Sequence, residues 1–126
     1  MGIILSKRSK LNLETCHSDI QLVVYKAAEL GLMDFSVICG HRGKEAQNAA
    51  FKVGHSKAKY GQSSHNSLPS LAVDIVPYPI NWNDIERFKS LGRYILQVAK
   101  EEAVNLYWGG HWENFKDYPH YSLNNK

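Results

Sequence analysis

An aspartate stands in the middle of an apolar, strand-like run, Leu71-Ala-Val-Asp-Ile-Val76. Alternation along a strand places Ala72, Asp74 and Val76 on one face and Val73 and Ile75 on the other. Apolar neighbours on both sides make either face at least half buried. A carboxylate buried there without a partner is strongly disfavoured or neutralised. The fold must therefore bring something to Asp74: a salt bridge, a backbone cap or a metal ion.

The surrounding pattern shows what kind of fold does this. Residues 16–30 carry Ile20, Val23, Val24, Ala27 and Leu30 at helical spacing, and Gly31 sits where a C-terminal cap belongs. Phe35–Cys39 reads as a short buried strand, Gly40–Gly43 as a break and Lys44–Val53 as a second helix. Residues 54–70 form a long polar loop, uncommon in a small domain unless it has a function. Pro77 and Pro79 end the strand that carries Asp74. Asn83 and Glu86 have capping-box spacing. They introduce a helix over residues 84–103 with Ile85, Phe88, Leu91, Ile95, Val98 and Ala99 on one face. Leu106–Trp108 and His120–Leu123 read as the last strands, with His120 and Ser122 facing away from Tyr121 and Leu123. The first ten residues, with Lys7, Arg8 and Lys10, read as an extended arm. Helices group early and strands late, which predicts an α+β domain: a small antiparallel sheet with helices packed on one side.

The length of 126 residues suits one compact domain over 1–126, and 44% hydrophobic residues rule out a disordered chain. A net charge of +3 is too small to argue for nucleic-acid binding, though it favours approach to an anionic polymer. No apolar run is long enough for a signal peptide or a membrane anchor, so the expectation is synthesis in the cytoplasm. The Met1-Gly2 start with Ser6 echoes a myristoylation pattern and is treated as coincidence. Cys16 and Cys39 make no CxxC pair, which excludes a zinc ribbon, and both are expected to be buried thiols. The chain is expected to be a monomer.

Three further groups bear on chemistry. His65 lies at the end of the polar loop, nine residues before Asp74. Asp117-Tyr-Pro-His120 places a carboxylate and an imidazole where both can face one cavity, and Pro119 stiffens the approach. Two histidines and one carboxylate leave a tetrahedral zinc ion an open position for water. Asp117, too far to bind the metal, would then take a proton from that water. Arg42, on a glycine-bracketed turn after a buried strand, is placed to meet a carboxylate or carbonyl oxygen. Each feature also has a plain reading: a salt-bridged Asp74, a chance DxxH spacing, a surface arginine.

Taken in order, the pieces resemble the zinc D-alanyl-D-alanine carboxypeptidases and L-alanyl-D-glutamate endopeptidases. That family includes small phage endolysins and shares a core fold with the Hedgehog signalling domain. The matching segments are Gly40-His-Arg42 with Gln47, Gly54-His-Ser-Lys57, Ser63-Ser-His65 leading to Ala72-Val-Asp74, Trp108-Gly-Gly110 and Asp117-Tyr-Pro-His120-Tyr121. The resemblance implies a Hedgehog/DD-peptidase-like fold and a Zn2+ cofactor held by His65, Asp74 and His120. It implies Asp117 as catalytic base and Arg42 as the group that polarises the scissile carbonyl or holds a substrate carboxylate. Ser63, Gln47, Trp108 and His111 would serve substrate binding, although plain packing is the better account of Trp108. The substrate implied is a peptidoglycan stem peptide. The sequence departs from the commoner pattern in three places. The His65–Asp74 interval is nine rather than seven residues, His111 stands where an acidic residue is frequent, and Ser122 stands where a glutamate is common.

Within that resemblance, an L-alanyl-D-glutamate endopeptidase acting as a phage endolysin fits a short chain with no signal peptide and no wall-binding domain. The alternatives are a D-alanyl-D-alanine carboxypeptidase and a non-catalytic zinc or wall-binding module. A serine or cysteine hydrolase fits poorly, because no GxSxG occurs and neither cysteine has a catalytic signature.

Overall fold

A computed structural model describes residues 2–125. Four helices and a four-stranded sheet follow in chain order: α1 (Lys7–Glu14), α2 (Ser18–Leu30), β1 (Phe35–Cys39), α3 (Lys44–Lys52), β2 (Ala72–Pro77), α4 (Ile85–Glu101), β3 (Tyr107–Trp108) and β4 (His120–Ser122). Single 3-10 turns occupy Ser64–Asn66 and Gly109–His111. The sheet order is β1-β2-β4-β3, antiparallel at every pairing. The fold is α+β, as the sequence predicts.

Strand alternation sorts the sheet into two faces. Val73 and Ile75 of β2, Phe35 and Val37 of β1 and Tyr121 of β4 enter the main core. Ile20, Val23, Val24 and Ala27 of α2 and Leu91, Ile95, Val98 and Ala99 of α4 meet them there. These are the apolar stripes the helical spacing marks out, and each fully buried Leu, Ile or Val side chain contributes about 1.5–3 kcal/mol. Gly31 ends α2 in the left-handed region at φ 67°, with its N–H on the Ala27 carbonyl. The other face of the sheet carries Asp74 and His120.

The N-terminal segment corrects the sequence reading. Residues 7–14 are a helix, not part of an extended arm. The Ser6 hydroxyl caps it by accepting from Ser9 N. Lys7, Arg8 and Lys10 stay exposed while Ser9 and Leu13 are buried. The Ser9 hydroxyl accepts from Val37 N and Asn12 Nδ2 donates to Val37 O, both at 2.9 Å. The helix thus covers the outer edge of β1 with polar side chains, a use that an apolar-spacing search does not detect.

One cap also shifts. The N-cap of α4 is Asp84, whose carboxylate accepts from Arg87 N, rather than Asn83. Leu68–Pro69 and Tyr78–Pro79 are cis. No helix among the described residues is long and apolar enough to cross a membrane.

Candidate metal centre

Two strands and one loop build the centre. Asp74 of β2 and His120 of β4 are direct partners in the sheet, so their side chains leave the same face together. β1 adds an irregularity: its register slips between Val37 and Cys39, which sets Cys39 rather than Ile38 opposite Asp74.

His65 comes from the polar loop, which is tied down at several points. Arg42 N donates to His65 O at 2.7 Å, Leu71 N donates to Ser64 O at 3.1 Å, and the Ser63 hydroxyl accepts from His65 N. The His65 ring is buried, with Nδ1 2.7 Å from the Gly40 carbonyl. That carbonyl accepts only, so Nδ1 donates to it and Nε2 is the ring nitrogen left to meet a metal in place of a proton. Gly40 fits there because it has no side chain: a Cβ would stand 2.2 Å from Asn12 O and 2.3 Å from Thr15 Oγ1.

Three donor atoms therefore converge. His65 Nε2 lies 3.1 Å from Asp74 Oδ1 and 3.2 Å from His120 Nδ1, and His120 Nδ1 lies 3.6 Å from Asp74 Oδ1. Donors bound tetrahedrally to zinc at 2.0–2.2 Å stand about 3.3–3.6 Å from each other. The spacing and the chemistry of the set, two imidazole nitrogens and a carboxylate oxygen, both fit a divalent metal. A second grouping, Cys39 with His65 and Asp74, has its donors within 4.8 Å of one another. It is the weaker set, because Cys39 Sγ sits 3.9 Å from His65 Nδ1, the nitrogen already committed to Gly40. Cys16 is a buried free thiol as expected, but Cys39 is only half-buried and borders this centre, which corrects its expected burial.

The electrostatics follow from the packing. Burial opposes charge on His65, but the Asp74 carboxylate outweighs it and the pKa rises to about 10. Burial likewise disfavours the Asp74 carboxylate, yet His65 and His120 hold it well below the usual range. Arg42 adds Nη2 at 3.3 Å from Asp74 Oδ2. Burial, followed by repulsion from Asp74, pushes Asp117 up to about 6.

A cavity of about 1040 Å³ opens over the centre. His65, Asp74, His120, Asp117, Arg42 and Ser63 all line it. The remaining expected residues lie elsewhere. Gln47 is fully buried and does not reach the cavity; its Oε1 accepts from Arg42 Nη1 at 3.0 Å and so positions Arg42. Trp108 does not line the cavity, because its β3 register sets it opposite Tyr121 on the core side. It stacks on that ring, and its Nε1 donates to Tyr118 O. His111 packs edge-on against Trp108 and borders a smaller adjoining groove. The aromatic lining comes instead from Trp82, Phe88, Trp112, Phe115 and Tyr118. Trp112 and Phe115, which the sequence reading missed, stand in a polar loop just before Asp117, the one signal that could have found them.

Comparison with known proteins gives a consistent result. Residues 1–123 match the family described as phage L-alanyl-D-glutamate peptidase. The L-alanyl-D-glutamate peptidase of Escherichia phage T5 is 32% identical over 94% of this chain and 88% of its own length. The peptidoglycan L-alanyl-D-glutamate endopeptidase CwlK of Bacillus subtilis (strain 168) is 29% identical over 77% of this chain and 64% of its own length. The crystal structure of the Serratia marcescens L-Ala D-Glu endopeptidase ChiX superposes with a TM-score of 0.81 at 30% identity, covering 95% of this chain and 89% of that one.

Proposed function

The chain belongs to the phage L-alanyl-D-glutamate peptidase family, and on that premise we propose that it hydrolyses the L-alanyl–D-glutamate bond of peptidoglycan stem peptides at a zinc ion held by His65, Asp74 and His120. The observation that carries the metal assignment is the triangle of donor atoms with sides of 3.1, 3.2 and 3.6 Å at the floor of the cavity.

A zinc ion held by these three residues would supply Lewis acidity and would lower the pKa of the attacking water toward about 7. The protein supplies the rest. Asp117 takes a proton from the attacking water and returns it to the leaving nitrogen. Its burial suits this task, since desolvation raises the carboxylate's affinity for the proton it must accept and pass on. Arg42, held between Gln47 and Asp74, points a cation at the oxygen that becomes negative as the carbonyl turns tetrahedral. Ser63 holds the backbone of His65 in place. The Gly40 carbonyl fixes the ring so that Nε2 faces Asp74 Oδ1 and His120 Nδ1.

The reading is that of an endolysin-type enzyme, released onto the wall of an infected bacterium. The test is product analysis on defined muropeptides together with metal content. The expected products are a fragment ending in L-alanine and a peptide beginning with D-glutamate, from protein carrying one zinc per chain. Release of free D-alanine instead would move the activity to the carboxypeptidase class.

A further inference from the structure

We propose that Lys57 binds the free carboxylate of the substrate's D-glutamyl residue, an inference that rests on the bond specificity proposed above. Glutamate has two carboxyl groups, and a linear peptide continues through only one of them. The other remains as a free carboxylate a few bonds from the scissile nitrogen. A cleft that selects glutamate on the leaving side therefore needs a cation that is not already neutralised.

Three lysine or arginine side chains line the cavity: Arg42, Lys57 and Lys116. Arg42 is engaged, with Nη1 on Gln47 Oε1 at 3.0 Å and Nη2 on Asp74 Oδ2 at 3.3 Å. Lys116 makes no ion pair among the described residues, but its Nζ is tied back to its own loop, donating to the Trp112 carbonyl at 2.8 Å and to that of Gly110 at 3.5 Å. Lys57 makes no ion pair among the described residues. Its Nζ rests 5.3 Å from the centroid of the Phe115 ring. A ring face holds an ammonium in place without neutralising its charge, so the cation stays available to an anion.

The loop that carries Lys57 is fixed to the metal centre. The Ser56 hydroxyl accepts from Ala58 N at 3.1 Å, which puts Lys57 at the apex of a tight turn. Gln47 Nε2 donates to Ser56 Oγ at 3.0 Å and to Ala58 O at 2.5 Å, on either side of Lys57. The same amide's oxygen holds Arg42, which reaches Asp74. One buried glutamine thus sets the lysine turn and the arginine relative to each other. This also gives a role to the Gly54-His-Ser-Lys57 segment, which the metal centre does not use.

The experiment compares two stem peptides that differ only in the leaving residue: D-glutamate, or the same residue with its free carboxylate amidated. The wild type should favour the acid by about tenfold in kcat/KM, the size of a charge-assisted hydrogen bond in a partly open cleft. Lys57→Met keeps the aliphatic stem over Phe115 and should bring that ratio toward one, while Lys57→Arg should retain most of it. A preference that survives Lys57→Met, or a wild type without preference, overturns the Lys57 assignment while leaving the bond specificity intact. A wild type that cuts neither peptide overturns the specificity reading and the Lys57 role with it.

Discussion

Asp74 and His120 face each other as paired residues of β2 and β4, with His120 Nδ1 3.6 Å from Asp74 Oδ1. The antiparallel register itself puts two of the three donors side by side. The third, His65, needs only a loop that returns to the sheet.

His120→Ala removes one donor and opens the triangle. Losing even an outer-shell partner of a metal ligand weakens binding about 10- to 100-fold, so loss of the ligand itself should exceed that. Metal analysis of the purified variant should find well under one zinc per chain. Stoichiometric zinc in that variant contradicts the ligand assignment.

Asp117→Asn should keep the metal and lower kcat by at least about 10²-fold, the usual size of a general-base contribution. The sign of the pH effect follows from the role. A base works ionised, so activity is present above its pKa and falls as pH drops through it. Burial raises Asp117 to about 6, and a bound cation nearby lowers it again. The acid limb of kcat/KM should therefore lie at or below about pH 6. An identical acid limb in the residual activity of Asp117→Asn would assign the titration to another group.

Gly40→Ala places a Cβ 2.2 Å from Asn12 O and 2.3 Å from Thr15 Oγ1. The strand end must shift, at a cost of about 1–3 kcal/mol typical of overpacking, and the carbonyl that orients His65 moves with it. Gly43→Ala is the control: nothing lies within 4 Å of its Cβ and φ is −77°. In chemical denaturation the first variant should lose stability, and the second should change by less than about 1 kcal/mol.

Tyr121 is fully buried, and its hydroxyl has no hydrogen-bond partner among the described residues. An unsatisfied buried hydroxyl costs about 1–3 kcal/mol, so deleting it leaves the packing and removes the cost. Tyr121→Phe should match the wild type or exceed it by about 1 kcal/mol in chemical denaturation. A clear loss of stability would reveal a partner for that oxygen.

The sequence alone determined the apolar framework and the chemical types of the site. Helical spacing from Ile20 to Ala27 and from Phe88 to Ala99 marked the faces of α2 and α4, because burial of a helix requires that period. Alternation around Asp74 marked β2, and a charge in that run demanded a partner. Tertiary structure decided what local pattern cannot encode. The N-terminal helix escaped the sequence reading because Ser9 and Asn12 hold it through hydrogen bonds to Val37, a residue far along the chain. Trp108 left the cavity because its β3 register faced the core. Cys39 came to the centre through a register slip in β1, and Gln47 became the strut between Arg42 and the Lys57 turn. Periodicity reports which side of an element is buried; convergence of groups distant in sequence depends on strand register and loop closure, which exist only once the chain has folded.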